Sequence, residues 1–579
     1  MPKLTDILKE NHKNRDLVNK YKILYLSSLA LIPFDELLMF YLRNFGAPSE
    51  VKTGLFNSLV TEVKNYADHY DVIIINHDPF SSLLENNLHL SKMTEVELNN
   101  LERNYVELVK QILLNISNDK FILFIGFANP KVLENVWLAK EVKRVTERCA
   151  QFLKTLESAK IKVVEVQTLI EIMGKENVFK PEANVADPSP FTLDFRMNLA
   201  SIVSSAVASQ VLAYKKLLVL DCDNTLWGGV AAETGYSSLD LDEISSKGKM
   251  FVELQLMFKE MKERGVLLAL CSKNDEKEVL EVFNENANMV LKIQDFVGKR
   301  VNWHPKSQNI YQICAELDLL PDCVVFIDDS FFEIYEVVSR HGGISCLQSP
   351  TNSREAQILK LHLENFFLSR PITSEDLQKS QYYQDETVRK LRSESYLTYD
   401  DYLRSLETQV ELAKCTDAIY IPRISQLSLK TNQFNFMYSR FEEDDVAYMM
   451  ENPEFDIFTG KVTDNVGDSG LVLLIVTEKD QQNPKHVRII ELTLSCRVFD
   501  RNVAESAMVQ IIKYLQDQGF ERLSCVFKRS EKNSRFNQFL PSLNFKLASV
   551  DDEHFFYVFD LVTYTLPNYD YPKIVGHFL

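Results

Sequence analysis

The feature that most restricts the fold of this chain is an apolar run that stops abruptly in acidic residues. In the stretch KKLLVLDCDNTLWGGV, a segment rich in Leu and Val is followed at once by Asp221, Cys222 and Asp223. Strands of parallel sheets are buried on both faces and have this apolar composition, and ligands of open α/β sheets bind at the carboxyl ends of such strands. The run therefore predicts a parallel α/β domain with Asp221 and Asp223 at its functional edge.

Similar apolar segments recur on both sides of this run and alternate with amphipathic stretches. YKILYLSS, YDVIIIN, KFILFIGFA and KIKVVEVQ precede it, and VLLALCSKN and CVVFIDDS follow it. This alternation is typical of helices packed on parallel sheets, so we expect an α/β multidomain fold. A chain of 579 residues is also too long for a single core. The Pro-containing stretch PEANVADPSP and later shifts in pattern place the predicted domains at residues 1–190, 191–358, 359–410 (a helical connector) and 411–579.

Charge and hydropathy exclude two classes of partner. The formal charge of −18, without a dense stripe of Lys and Arg, argues against nucleic acid. The apolar runs are too short to span a bilayer, and the first residues, MPKLTDILKENHKNRD, lack the apolar core of a secretion signal. Nine cysteines without a CxxC pair are typical of thiols in a reducing compartment. We therefore expect a cytoplasmic protein that binds neither nucleic acid nor a membrane.

Polar residues beside the other apolar strands of this unit can join the two aspartates. Ser272 ends LLALCS, Asp328 and Asp329 end VVFIDD, and Lys306 precedes a predicted helix in NWHPKSQNI. Carboxylates that converge at a sheet edge suit Mg²⁺, which prefers oxygen ligands and bridges protein carboxylates to phosphates. The predicted metal ligands are Asp221, Asp223, Asp328 and Asp329.

This constellation predicts phosphoryl chemistry. Asp221 can attack phosphorus, while Asp223 serves as acid and base to the leaving group. The hydroxyl of Ser272 can hold a phosphoryl oxygen, and Lys306 offers a positive charge to the transferring group. Simpler roles stay open at each position: helix capping for the two aspartates and for Ser272, and a solvated surface charge for Lys306.

The order of aspartate nucleophile, hydroxyl, lysine and acidic pair resembles the four motifs of the haloacid dehalogenase (HAD) superfamily. Within it, DCDNTLWGGV, SKNDEKEVLEVF, NWHPKSQNI and VFIDDS resemble the FkbH-like family, and the resemblance runs from about Tyr21 to Phe545. It implies an enzyme that uses Mg²⁺ to remove phosphate from 1,3-bisphosphoglycerate and loads the glyceryl unit as a thioester onto an acyl carrier protein for polyketide biosynthesis. It also implies that Thr225 and Asn274 bind the substrate.

Holding the glyceryl unit between donor and carrier requires a thiol, and two cysteines are candidates. Cys222 lies between the aspartates, where Mg²⁺ and Lys306 would favour its thiolate. Cys496, in the family-like stretch LSCRVFDRN, is the alternative. Cys222 can instead be a small buried residue that packs on the far face of its strand.

The first domain resembles an SGNH-hydrolase fold, in which Ser27 or Ser28 would take the nucleophile position and Asn76 that of an oxyanion donor. The DxxH block that supplies the base in that fold is missing before Asp221, and His69, His77 and His89 lack that context. A serine without a general base is a weak nucleophile. We therefore expect a structural or docking role for this domain.

The third domain resembles a GNAT acetyltransferase fold, in which a glycine-rich turn at a helix start binds the pyrophosphate of coenzyme A. The corresponding stretch, RVFDRN, has no glycine, and Asp500 would repel a phosphate. Arg497 and Arg501 remain as predicted contacts for the phosphate of a phosphopantetheine arm. A purely structural domain is the alternative.

A chain of charge −18 needs a local basic patch to receive an acidic carrier protein. One candidate patch near the predicted active site comprises Lys292, Lys299, Arg300 and Lys306. The other lies in the third domain and comprises Lys528, Arg529, Lys532 and Arg535. We favour the second patch, because the first already serves the phosphate site. Scattered surface charge is the alternative for either patch.

The chain departs from the family pattern after the acidic pair, where DDSFFEI stands in place of DDNPxER. The loss of an arginine at the position of Ile334 removes a cation that can bind a carboxylate or phosphate, and so allows a different acyl donor.

Two alternatives stay open beside the bifunctional transferase: a simple HAD phosphatase of a small phosphorylated metabolite, and a non-catalytic scaffold in a biosynthetic cluster.

Overall fold

The computed structural model describes residues 3–14, 19–29, 31–79, 94–126, 139–180, 189–368, 379–393, 395–431, 433–499, 501–530, 533–534, 537–563 and 571–577. Three sheets follow one another along the chain, two with five strands and one with nine. The α/β fold class expected from the alternating apolar segments is confirmed. Among these residues, no helix is both long enough and apolar enough to cross a membrane.

The first sheet is wholly parallel and doubly wound. Its strands are β1 (Tyr21–Ser27), β2 (Ser49–Thr53), β3 (Val72–Asn76), β4 (Phe121–Ile125) and β5 (Ile161–Val164), in the order β2-β1-β3-β4-β5. Its helices are Leu4–Lys13, Phe34–Asn44, Leu59–Tyr66, Glu95–Leu114, Ala139–Thr155, Val166–Met173 and Lys175–Val178. β3 and β4 are buried along their whole length, as expected of inner strands covered by helices on both faces.

The second sheet is also parallel, and the strand that precedes Asp221 lies at its centre. Its strands are β6 (Leu217–Leu220), β7 (Leu267–Ser272), β8 (Phe296–Val301), β9 (Val324–Asp328) and β10 (Ser345–Gln348), in the order β10-β9-β6-β7-β8. Its helices are Ala231–Thr234, Ser246–Glu263, Glu276–Glu285, Lys306–Glu316, Phe331–Arg340 and Ser353–Phe367. The helices cover strands that are almost entirely apolar, which explains the continuous Leu and Val runs of the sequence.

The helix Leu193–Val211 joins these two sheets into one body. Residues 195–208 of this helix are all buried. We call each sheet with its helices a unit. The helix Leu193–Val211 packs against the helix Phe34–Asn44 of the first unit and the helix Ser353–Phe367 of the second unit. One continuous cluster of buried apolar side chains therefore includes residues of both β1 and β6.

The third sheet is mixed. Its strands are β11 (Gln409–Lys414), β12 (Phe434–Asn435), β13 (Phe455–Thr463), β14 (Asp468–Lys479), β15 (His486–Leu494), β16 (Arg522–Lys528), β17 (Lys546–Asp551), β18 (His554–Asp560) and β19 (Lys573–His577). Its helices, with those of the connector, are Lys379–Ser393, Tyr399–Ser405, Ile421–Lys430, Glu443–Glu451, Val503–Asp517 and Phe539–Ser542. β15 pairs in parallel with β16 over four residues only, and β12 then pairs with the end of β15. β12 therefore lies in the gap that opens between β15 and β16 beyond their four paired residues.

A buried network of charges holds the connector helix Lys379–Ser393 to the third sheet. Arg389 of this helix donates two hydrogen bonds to Asp464, at 2.8 and 2.9 Å. Arg501 also donates to Asp464, at 3.2 Å, and forms an ion pair with Glu386. Burial alone would raise the pKa of Asp464, but the two arginines hold it below its ordinary value. Asp464 therefore stays charged and neutralises buried cations from two parts of the chain.

Substitution of Asp464 by alanine is expected to destabilise the third unit strongly. The change leaves Arg389 and Arg501 buried without their shared carboxylate, which costs about 3–5 kcal/mol in comparable sites. Urea unfolding followed by hydrogen exchange of β13 and β14 measures the effect. Glu147→Ala, which breaks an exposed ion pair with Lys143, is the control and should change the free energy of unfolding by less than about 1 kcal/mol. Equal effects of the two variants would contradict the role of the network.

Candidate active site

Asp221, Ser272 and Asp328 come together at the carboxyl edge of the second sheet. Asp221 follows β6 directly, Ser272 is the last residue of β7, and Asp328 is the last residue of β9. β6 lies between β7 and β9, so the order of the strands reverses at Asp221. Open α/β sheets bind their ligands at such a switch point.

Three carboxylates crowd together at this edge. Asp221, Asp328 and Asp329 each offer one oxygen atom, and these atoms all lie within 4.8 Å of one another. Burial and then the charge of Asp221 raise the pKa of Asp328 to about 7, and the same two causes raise the pKa of Asp329. Close carboxylate oxygens of this kind form the donor set that a hard divalent cation such as Mg²⁺ prefers.

Lys306 lies between two of these carboxylates. Its Nζ atom is 2.9 Å from Asp221 Oδ1 and 2.5 Å from Asp328 Oδ2. The side chain is buried, which excludes the alternative of a solvated surface lysine. Burial alone would lower the pKa of Lys306, but the two carboxylates raise it above its ordinary value. One positive charge beside three carboxylates leaves a negative excess that fits a divalent cation.

Asp223 is not a member of this cluster, and other hydrogen bonds fix its carboxylate. Oδ1 accepts the Nε1–H of Trp227 at 2.8 Å and the backbone N–H of Ala231 at 3.1 Å. Oδ2 accepts from Asn274 Nδ2 at 2.9 Å. Because Ala231 begins the helix Ala231–Thr234, the helix-capping alternative holds in part for Asp223. A role of this carboxylate as a metal ligand stays a prediction.

Two residues that were not predicted to act at the site orient its acidic side chains. Asn224 Nδ2 donates to Asp329 Oδ2 at 3.1 Å, and the backbone N–H of Ser330 donates to Asp328 Oδ1 at 2.9 Å. Asn224 has a left-handed backbone, with φ of 52°. Asparagine is enriched in that conformation, so an Asn in the turn after a strand was the available signal for this residue.

The other residues predicted to bind the substrate lie beside the cluster. Ser272 Oγ accepts from Asn274 Nδ2 at 3.2 Å, so that Asn274 links Ser272 to the carboxylate of Asp223. Thr225 Oγ1 is buried and has no hydrogen-bond partner among the described residues. A buried hydroxyl without a partner is suited to a ligand oxygen. Ser272 is not a helix cap, because Asp275 caps the helix Glu276–Glu285.

Cys222 is completely buried beside the aspartates. Burial and then the charge of Asp221 raise the pKa of its thiol well above the ordinary value, and these effects outweigh the opposing influence of Lys306. Without a bound cation, the thiolate that an acyl carrier needs is therefore disfavoured in this environment. The role of Cys222 as acyl carrier stays a prediction.

Cys496 lies at the amino ends of the strands of the second sheet, whereas Asp221 lies at their carboxyl ends. It lines a small cavity together with Lys216 and Cys323, which directly precede β6 and β9. The four residues of β6 separate the two edges of the sheet by about 13 Å. An acyl group held by Cys496 would therefore have to travel between the two edges, and its role also stays a prediction.

The serines of the first unit lie at the switch point of the first sheet, where β1 and β3 end. Ser27 Oγ accepts the N–H of Leu29 at 3.0 Å, and Ser28 Oγ accepts the N–H of Asp78 at 3.0 Å. His77 follows β3, and burial lowers the pKa of its ring to about 4. The SGNH-like assignment of this unit stays a prediction.

The guanidinium groups of Arg497 and Arg501 contact other parts of the protein. Arg497 donates to the carbonyl of Ser469 at 3.1 Å and lies 4.3 Å from the ring centroid of Tyr382. Arg501 is buried in the network around Asp464. A phosphate can bind these arginines only if their contacts with the connector helix are broken. Asp500 lies outside the described residues.

Acidic neighbours neutralise most of the basic patch near the active site. Lys299 pairs with Glu276 at 2.9 Å, and Arg300 pairs with Glu316. In the second patch, the guanidinium of Arg529 lies 5.2 Å from the ring centroid of Phe555. Lys532 and Arg535 lie outside the described residues, so the patch as a whole stays a prediction.

No protein-family model and no curated protein matches the sequence. Among solved structures, one similar chain is the N-terminal part of a Bacteroides fragilis protein that contains a phosphatase domain and was crystallised with Mg. It is 22% identical, covers 63% of this chain and 99% of its own, and has a TM-score of 0.48. The PaiA N-acetyltransferase of Thermoplasma acidophilum, in complex with coenzyme A, is 11% identical, with 26% and 98% coverage and a TM-score of 0.22. A ribosomal-protein alanine N-acetyltransferase from Escherichia coli is 11% identical, with 28% and 99% coverage and a TM-score of 0.22. At these values, the chemistry of the site has to be inferred from its own residues.

Removal of one carboxylate from the cluster is expected to weaken Mg²⁺ binding. Asp328→Asn and Asp329→Asn each take away a charged oxygen ligand, so we expect at least about a tenfold loss of affinity in titration calorimetry. Asp295→Asn is the matched control, because Asp295 is also buried and pairs with a lysine, Lys262, at 2.6 Å, outside the cluster. Wild-type affinity in both cluster variants would contradict the assignment of the metal site.

Proposed function

We propose that this protein is a Mg²⁺-dependent phosphatase of HAD type in which Asp221 is the nucleophile. The observation that carries the proposal is the position of Asp221. It lies at the switch point of a parallel sheet, 2.9 Å from the buried Lys306 and within 4.8 Å of the ligand atoms of Asp328 and Asp329. This arrangement presents a carboxylate, a fixed cation and a metal-binding oxygen set to the same phosphoryl group.

The first step is attack by a carboxylate oxygen of Asp221 on phosphorus. A bond forms between that oxygen and phosphorus, and the bond from phosphorus to the leaving oxygen breaks, which gives an aspartyl phosphate. Lys306, which stays charged, attracts the oxygens of the transferring group and holds Asp221 in place. Mg²⁺, when bound at Asp221, Asp328 and Asp329, would neutralise further charge on the phosphoryl oxygens.

Asp223 is the group that handles protons in this proposal. Its Oδ1 already accepts two N–H groups, whereas Oδ2 accepts one bond, from Asn274. Oδ2 is therefore the oxygen that gives a proton to the leaving group. It then takes a proton from the water that attacks phosphorus and releases phosphate and Asp221. The half-buried position of Asp223 gives this oxygen access to both.

The finer proposal is that the substrate is 1,3-bisphosphoglycerate and that the glyceryl unit passes to an acyl carrier protein. The support for it is the resemblance of DCDNTLWGGV and NWHPKSQNI to the FkbH-like family. A simple phosphatase of a small phosphorylated metabolite is the second candidate. The complete burial of Cys222 and the distance of Cys496 from Asp221 favour that candidate, because neither thiol is presented to a carrier at the site.

Asp221→Asn is expected to abolish phosphate release, because an amide cannot form the aspartyl phosphate. Asp223→Asn should retain attack on activated esters but slow the overall reaction by about 10²–10⁴-fold, as expected when an acid–base group is lost. Release of inorganic phosphate with Mg²⁺ and a panel of phosphate monoesters measures both, with Asp295→Asn as control. Activity of Asp221→Asn above one tenth of wild type would disprove a nucleophilic role.

Intact-protein mass spectrometry tests the finer proposal. If the finer proposal holds, wild type carries a glyceryl adduct that hydroxylamine removes after incubation with Mg²⁺ and 1,3-bisphosphoglycerate. Loss of the adduct in either Cys222→Ala or Cys496→Ala would identify the carrying thiol. Phosphate release without an adduct on any variant would reject acyl transfer and leave the simple phosphatase.

A further inference from the structure

A cavity of about 160 Å³ lies where the first two units meet, next to the metal site. Its walls come from the helices Phe34–Asn44, Leu193–Val211 and Ser353–Phe367, the start of the helix Phe331–Arg340 and the end of β10. Ser349, which lines the cavity, donates its hydroxyl to the carbonyl of Asn224 and its N–H to that of Asp328, both at 2.8 Å. One wall of the cavity therefore also supports the carboxylate cluster.

Most of the lining is aromatic or aliphatic. Phe40, Phe45, Phe331, Ile334, Leu347 and Ile358 contribute apolar surface. The described residues that line the cavity include no lysine or arginine. This composition disfavours an anionic ligand, because a buried negative charge without a cation is costly.

The titratable groups of the lining also disfavour an anionic ligand. His362 is buried, and burial lowers the pKa of its ring to about 3, so the ring is neutral. One carboxylate oxygen of Glu355 accepts the N–H and the hydroxyl of Thr351, each at 2.8 Å. The carboxylate of Glu355 repels an anion, so the cavity favours an uncharged molecule over an anion.

Two polar groups in the lining lack a partner. The hydroxyl of Tyr41 and the Oδ1 atom of Asn198 are buried and have no hydrogen-bond partner among the described residues. Both side chains line this one cavity. A ligand hydroxyl can accept from Tyr41 or donate to Asn198, and either bond gives a partner to a buried polar group.

The cavity, which is open to solvent beside the exposed side chain of Phe331, has room for a body of about one ring. An engineered apolar cavity of about 150 Å³ in another protein binds benzene. We propose that this cavity binds a compact, uncharged molecule with an apolar body of about one six-membered ring and one hydroxyl group. The site is separate from the phosphoryl chemistry at Asp221 and does not depend on it.

Binding of benzyl alcohol to the full chain tests the proposed class of ligand. In ligand-observed NMR and calorimetry, benzyl alcohol is expected to bind saturably. Benzoate, which has the same ring but a negative charge, should bind at least about tenfold more weakly. Absence of saturable benzyl alcohol binding, or equal binding of the two compounds, would overturn the proposal. Because binding is read directly, the result is independent of phosphatase activity.

Two buried cysteines provide a matched pair of variants that locates the binding. Cys346 lines the cavity, whereas Cys314 belongs to the same core cluster but does not line it. Cys346→Leu should fill the cavity and weaken benzyl alcohol binding by about tenfold or more, while Cys314→Leu should leave it unchanged. If thermal unfolding shows that Cys346→Leu does not fold, Ile358→Phe fills the cavity from another wall. Unchanged binding in a folded filling variant would overturn the location.

Tyr41→Phe tests the polar end of the cavity. The variant keeps the ring and loses the hydroxyl, so the preference for benzyl alcohol over toluene should fall by about fivefold, which corresponds to one neutral hydrogen bond. Toluene binding itself should not weaken. An unchanged preference would overturn the assignment of a hydroxyl-bearing ligand.

Discussion

Carboxylates that converge at the end of a buried sheet repel one another, and the second unit depends on how this repulsion is compensated. Lys306 enters at the start of a helix and contacts Asp221 and Asp328 together. Hydrogen bonds from Asn224 and Ser330 then fix one oxygen of Asp329 and the second oxygen of Asp328. The negative charge that is left makes this edge a place where a divalent cation and a phosphate can share ligands. The chemistry proposed here follows from that electrostatic excess more than from any single residue.

Much of this edge was predictable from the sequence, because the carboxyl ends of parallel strands fall on one side of a sheet. Apolar runs that end at Asp221, Ser272 and Asp328 were enough to place these residues together. The orientation of Asp223 was not predictable. It follows the strand by three positions, where the alternation of side chains no longer applies, and Trp227 and Asn274 fix it through bonds that no periodicity encodes.

The positions of the other predicted residues depend on contacts between distant parts of the chain. Cys496 lies at the amino edge of the second sheet because the third unit packs there, and its local sequence gives no sign of this. Arg501 binds Glu386, which lies 115 residues earlier in the connector. The charges near the start of one helix could suggest a phosphate site. They could not reveal that Arg501 already forms an ion pair with a carboxylate of the same chain.

The first two units cannot be exchanged one at a time without damage to the packing between them. The helix Leu193–Val211 is buried over residues 195–208 and packs on a helix from each unit. Tightly packed interiors tolerate changes in shape poorly, so a replacement of either unit by recombination would leave this helix against a surface that does not match it. A change of shape in the helix Phe34–Asn44 or the helix Ser353–Phe367 is therefore felt in both units through the helix between them. The two units form a single packed block, although each has a complete sheet of its own.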